Sequence, residues 1–131
     1  MLASLALKRK INYIKNIMPK VRDSVQIVKE EYPEIYNGYQ SIMNEQLKLF
    51  CDKHLDYGMS NISAGTQLAN NDEKEFALTG LWYRLSDKVN RWKNLIISKR
   101  STRNEPLIDT YQDIVNYGII AQLVEKNQWK K

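Results

Sequence analysis

Three clusters of side chains carry the chemical capacity of this sequence. The first is Lys53, His54, Asp56, Tyr57, Gly58 and Asn61. His, Asp, Tyr and Asn can each address a base or a sugar by stacking or hydrogen bonding, and a glycine among them lets the backbone approach a ligand. The second is Arg84, Asp87, Lys88 and Arg91, whose steps of three, one and three place them along one flank of a helix. Arginine suits bidentate contact with phosphate and lysine supplies a compact charge, so Arg84, Lys88 and Arg91 are candidates for holding a phosphate. Asp87 would then complete a metal set or orient an arginine. The third cluster is Asp109 and Asp113, four residues apart on the last helix and on the face opposite Tyr111. Like charges so placed repel and want a cation, either Mg²⁺ with its oxygen preference or a basic side chain. The plainer reading has Asp109 helping the dipole near the helix start and Asp113 pairing with a Lys or Arg of the preceding helix. For the basic flank, the plainer reading is a solvated helix face.

These residues need helices to position them, and apolar residues recur at helical spacing in four blocks. The first runs from about Ser4 to Glu31, with Leu7, Ile11, Ile14, Ile17 and Met18 on one stripe and Val21, Val25 and Val28 continuing it. A break or bend is expected near Pro19, where Met18 should leave the helical region. The second begins near Glu34 and carries Ile35, Tyr39, Ile42, Met43, Leu47 and Phe50 toward His54. Between Leu55 and Asn71 the periodicity fails, and a long loop is expected. The third block takes Asp72 as its N-cap and Leu78, Leu81, Trp82, Leu85, Val89, Trp92 and Ile96 as its core stripe. The fourth opens at Asn104 or Glu105 with Pro106 at the first helical position, and Leu107, Tyr111, Ile114, Val115, Gly118, Ile119 and Gln122 share a face. From Glu125 onward the chain is polar apart from Trp129 and is expected to fray.

The fold class predicted is therefore all-α: one domain over 1–131, four to five helices, and one long loop between the second and third main helices. Residues 1–33 form an N-terminal helical segment, either a core helix or an oligomerisation arm, and 34–127 form the core. With 131 residues and 43% hydrophobic content the chain can build one core without staples. A single cysteine, Cys51, and a single histidine exclude a disulfide scaffold and a zinc site, and make a reducing cytoplasm the simplest compartment. No apolar run approaches the roughly 18 residues of a membrane span. The net charge of +5 favours anionic partners. Much of the positive excess lies at the two ends, Lys8 to Lys20 and Lys126 to Lys131, which argues against specific duplex binding. Neither a phosphate-binding glycine loop nor a Ser/His/Asp arrangement is present. Ile120 and Tyr117 lie opposite the expected core stripe of the last helix, so a partner surface is expected, and identical copies are the commonest partner.

The succession Lys53-His54-x-Asp56-Tyr57-Gly58-x-x-Asn61, then Arg84-x-x-Asp87-Lys88-x-x-Arg91-x-x-Asn94-Leu95, then Asn104-Glu105 and Asp109-Thr110-x-x-Asp113-x-x-x-Tyr117 resembles the nucleotide modification associated domain type 1 family, small proteins of bacteriophages and bacteria. The resemblance covers about Leu47 to Leu123. It implies nucleotide handling and, for a phage-encoded protein, work in the bacterial host cytoplasm. The end of the pattern is also distantly similar to the MazG-like all-α nucleotide pyrophosphohydrolases, in which helical acids hold Mg²⁺ around a triphosphate. That group carries Glu-x-x-Glu on the helix before its final acidic helix, where this chain has Arg84-x-x-Asp87.

Two functions follow as expectations. In the first, Arg84, Lys88 and Arg91 hold the phosphates of a nucleotide-like ligand, His54, Asp56, Tyr57 and Asn61 recognise base or ribose, and Asp87, Asp109 and Asp113 fix the basic groups. Such a protein would sequester a nucleotide-derived immune signal or serve modified-nucleotide metabolism. In the second, Asp87, Asp109 and Asp113 hold Mg²⁺ for a nucleoside phosphate hydrolase or transferase, with His54 as acid or base.

Overall fold

The computed structural model describes residues 2–17 and 21–131. Among them six helices follow one another: α1 (Leu2–Ile17), α2 (Ser24–Glu31), α3 (Pro33–Tyr57), α4 (Ser60–Ser63), α5 (Asn71–Ser98) and α6 (Leu107–Glu125). The protein is all-α, with no strand among the described residues. The break or bend expected near Pro19, with Met18 leaving the helical region, lies outside the described residues. By internal contacts the chain divides into two units, 1–41 and 42–131.

The first unit holds α1, α2 and the start of α3. Its apolar stripe has helical spacing, yet Leu7, Ile11, Ile14, Val25 and Val28 are all exposed. No side chain described in this unit is buried. α2 has only eight residues, too few for a helix to stand on propensity alone. Its polar contacts are at the surface: Arg22 donates to Glu30, and Gln26 Nε2 donates to Glu30 Oε1 at 2.6 Å. Exposed pairs of this kind add little stability.

The second unit is built on α5 and α6, with α4 laid against α5. Ile62 of α4, Ala77 and Leu81 of α5, Ile120 and Val124 of α6, and Trp129 form the buried core. Phe50 of α3, Met59, Leu68, Leu78 and Tyr117 pack around it. α3 is tied to α6 by Gln46, a buried side chain whose Nε2 donates to Gln112 O at 2.8 Å.

Several local expectations are corrected. The loop between α3 and α5 is shorter than the fading periodicity suggests, because α3 continues to Tyr57 and α4 occupies Ser60–Ser63. Gly58, at φ +71°, ends α3 in a left-handed conformation that suits glycine. The Ser and Thr residues that dilute the pattern are used locally: Ser63 Oγ donates to Met59 O at 3.2 Å, and Thr66 Oγ1 donates to Ser63 O at 2.8 Å. The N-cap of α5 is Asn70, not Asp72. Its Oδ1 accepts from Glu73 N at 2.9 Å, while Glu73 Oε2 accepts from Ala69 N at 2.7 Å. At the start of α6 the cap is Pro106, and Leu107 is the first helical residue.

The buried face of α6 also differs, and the partner surface expected on Ile120 and Tyr117 is not there, since Ile120 is in the core and Tyr117 packs against it. Thr110, Asp113, Asn116, Ile120 and Val124 point inward, whereas Tyr111, Val115, Gly118 and Gln122 are exposed. Thr110 and Asp113 can lie inside because they find partners there, Arg91 for the first and Lys53 and Lys88 for the second, an outcome that apolar spacing does not register. On α5, Leu81 is buried, but Trp82 is 62% exposed. The tail does not fray. Trp129 is 8% exposed, its Nε1 donates to Met59 O at 3.2 Å, and its ring meets those of His54 and Phe50 edge-on, with centroids 5.0 and 6.4 Å away.

Candidate functional site

Three helices of the second unit present one face each to a common cavity. From α3 come Phe50, Lys53, His54 and Tyr57, at the 0, 3, 4, 7 spacing of a single helical stripe. From α6 come Asp113, Asn116, Tyr117 and Ile120, at the same spacing. α5 adds Arg84 and Lys88, one turn apart, and α4 adds Asn61 and Ile62. Gly58, Glu105 and Trp129 complete the lining of a cavity of about 380 Å³. That volume falls within the range of small-molecule sites.

Asp113 organises the charged side. Lys53 Nζ lies 2.5 Å from its Oδ1 and Lys88 Nζ lies 2.7 Å from its Oδ2. Burial of Asp113 opposes its charged form, yet the hydrogen bonds from Lys53 and Lys88 outweigh that penalty and hold the carboxyl below its ordinary range. The same bond to Asp113 raises the Lys88 ammonium. Burial, then the negative charge of Asp113, push the Tyr117 phenol upward, against the pull of Lys88, Arg84 and Lys53. Glu105 Oε2 stands 3.9 Å from Lys88 Nζ. Arg84 is fixed through neutral acceptors: its Nη2 donates to Asn61 O at 2.8 Å and to Asn61 Oδ1 at 3.2 Å. Those bonds hold the guanidinium without cancelling its charge. Three cations therefore face two carboxylates across the cavity.

The other wall is aromatic. Phe50 and His54 lie nearly parallel, with centroids 5.8 Å apart and 13° between their planes. Two buried polar atoms of the lining have no hydrogen-bond partner among the described residues, His54 Nδ1 and Asn116 Oδ1. Asn116 is 4% exposed, so its unmet acceptor lies where solvent does not substitute freely.

The expected site residues divide as follows. His54, Tyr57, Asn61, Arg84 and Lys88 line the cavity together; Asp56 and Arg91 do not. His54 and Tyr57 reach it from the last turns of α3 and not from a loop. Arg91 is a brace. It donates to the Thr110 hydroxyl and to Glu105 O, tying α5 to the start of α6 and to the segment before it. Asp56 is exposed.

The metal set expected of Asp87, Asp109 and Asp113 does not assemble. Asp87 is exposed, Asp109 sits half-buried in the first turn of α6, and both Asp113 oxygens are engaged by ammonium groups. Among the described residues no three His, Cys, Asp or Glu side chains converge as metal ligands. The donor set present at Asp113 is thus cationic, which fits the plainer reading of Asp113 as the partner of a basic residue on the preceding helix and does not fit Mg²⁺.

The sequence pattern assigns no site role to Phe50, Asn116 or Trp129, and places Lys53 in a cluster without a role of its own. The stripe spacing Phe50-Lys53-His54-Tyr57 was the available signal for two of them. Trp129 had none, because it arrives from a tail whose composition is polar.

No helix among the described residues is long and apolar enough to cross a membrane. No curated protein and no solved structure matches the chain. The model of the family described as nucleotide modification associated domain 1 matches residues 53–124, from the first lysine of the cavity to the last core valine of α6; this is more than half of the chain, which belongs to that family.

Proposed function

We propose that the cavity binds a nucleoside phosphate, and that the protein acts by holding that ligand, through sequestration or within modified-nucleotide metabolism. The observation that carries this reading is the convergence of Lys53, Arg84 and Lys88 beside an aromatic wall, in a cavity whose lining holds two unmet buried polar atoms. An ammonium group has three donors, and Asp113 takes one from each lysine, so both lysines keep donors for phosphate oxygens. Arg84 adds a forked donor of fixed charge. Tyr57 and His54 offer ring faces to a base, while Asn61 and Asn116 carry amides able to address base edges or ribose hydroxyls. The family's association with nucleotide modification supports the same ligand class.

The test is calorimetry with a panel of nucleoside mono-, di- and triphosphates, with and without Mg²⁺, followed by chromatography of the mixture. Binding with the nucleotide recovered intact is expected. Lys88→Met should weaken it by about tenfold or more, equivalent to about 1.4 kcal/mol. Failure of every nucleotide to bind overturns the reading, and metal-dependent turnover replaces holding with hydrolysis.

A further inference from the structure

A second cavity, of about 300 Å³, adjoins the first and shares Asn61, Ile62 and Arg84 with it. Apart from the shared Arg84, its lining carries no charged side chain. Its outer walls are Phe76 and Tyr83, both strongly exposed, with Gly80 between them. The three lie at steps of four and three, on one face of α5. Thr79 also lines this cavity, but its hydroxyl donates to Glu75 O at 2.7 Å and is occupied within the helix.

Gly80 is the informative residue. Glycine is a poor choice in the middle of a long helix. Its backbone does not require it, because Gly80 is not among the residues with positive φ. Packing does not require it either, since an added Cβ would meet nothing within 4 Å. What the missing side chain does is leave the helix backbone open between two aromatic rings, a place where a flat group can lie against α5. Arg84 stands in the wall common to the two cavities, held by Asn61, with a charge that its hydrogen bonds to that residue leave uncancelled.

Resting on the reading of the first cavity as a nucleoside phosphate site, we propose that the full ligand is a dinucleotide joined through phosphate. One nucleoside half occupies the first cavity, the linking phosphate lies against Arg84, and the second base lies over Gly80 between Phe76 and Tyr83. A mononucleotide would fill only the first cavity. The Arg84 guanidinium, reachable from both sides, suits a phosphate bridge better than a terminal group held at one end.

Calorimetry with the 5′-mononucleotides and the matching P1,P2-dinucleoside diphosphates tests this, using the full chain and the variant Gly80→Leu. Leucine fills the second cavity and favours the helix, so the fold should persist. For the unsubstituted protein the dinucleotide is expected to bind at least about tenfold more tightly than the mononucleotide. Gly80→Leu should abolish that gain and leave mononucleotide affinity within about twofold, and Tyr83→Ala, at an exposed position, should reduce the gain in the same direction. Equal affinity for the two ligand types, unaffected by either variant, overturns the dinucleotide proposal while the nucleoside phosphate site stands. Binding of neither ligand overturns both. A Gly80→Leu protein that sediments as a smaller species than the unsubstituted chain assigns the cavity to a second copy of the protein and also overturns the proposal.

Discussion

The Asp113 carboxylate sits between two ammonium groups, Lys53 at 2.5 Å and Lys88 at 2.7 Å, on the inner face of α6. A charge placed there costs solvation, and the two lysines repay it only while the carboxyl is ionised. Asp113→Asn keeps the shape, removes the charge and leaves two cations facing each other. Lys53 is partly exposed, so solvent screens part of the loss, and a destabilisation of about 1–2 kcal/mol at pH 7 is expected. The sign of its pH dependence follows from the lowered carboxyl. A depressed folded-state value contributes stability above the unfolded value, about pH 4, and that contribution disappears as pH falls through the folded value. Urea denaturation of both proteins from pH 7 downward should therefore show a gap that narrows below about pH 4. A gap constant across that range would mean that the lysines do not stabilise the ionised form. Lys88, whose ammonium is raised by the same contact, stays charged through the whole interval and does not contribute to the slope.

At the scale of elements, the site depends on how α6 ends. After Glu125 the chain turns back, with Asn127 at φ +56° and Gln128 N donating to Leu123 O at 2.8 Å, and this return delivers Trp129 to the core and to the aromatic wall. Trp129→Ala should cost about 3 kcal/mol, the scale of large-to-small changes in a core, measured as a shift in the denaturation midpoint followed by far-UV circular dichroism. An unchanged midpoint would mean that the tail is not part of the folded unit. The sequence made the helical class, the approximate course of α3, α5 and α6, and the cationic flank of α5 readable, because apolar period and charge spacing survive in the pattern. It did not make the inward face of α6 readable. Thr110, Asp113 and Asn116 are polar; partners on other elements draw in the first two, Arg91 for Thr110 and Lys53 and Lys88 for Asp113, while Asn116 lines the cavity with its Oδ1 unpaired. For the same reason Arg91 reads as a phosphate ligand in the sequence and is a brace in the fold. Spacing along one helix tells which residues share a flank, but the neighbouring helix decides which of them faces a cavity and which faces a loop.

At the scale of the whole molecule, the amount of apolar surface left outside is the property to explain. The second unit buries six hydrophobic residues, whereas Trp82, Val89, Trp92 and Ile96 form an exposed stripe along α5. Trp92 meets Tyr111 of α6 edge-on at 4.9 Å, and Val115 lies exposed one turn farther along α6, so the stripe widens into a patch across two helices. Isolated soluble chains rarely leave such a contiguous apolar area to water, and a second copy of the same surface is the simplest cover, because a two-fold axis lets one patch complement itself. Self-association is accordingly expected: sedimentation should give a species heavier than the 15.4 kDa chain. Trp82→Glu places a carboxylate in that patch at a position outside the core, and should shift the species toward the monomer while the helical circular dichroism signal is retained. Ile96→Glu, at the far end of the stripe, should act in the same direction, since both substitutions force a charge out of water on association. A single 15.4 kDa species for the unsubstituted chain would remove the partner and leave the patch unexplained by self-pairing. The cavity lies on the inner faces of α3, α5 and α6, whereas Trp82, Tyr111 and Val115 do not line it. Trp82→Glu should therefore leave the nucleotide affinity per chain within about twofold, which calorimetry on the variant measures alongside sedimentation.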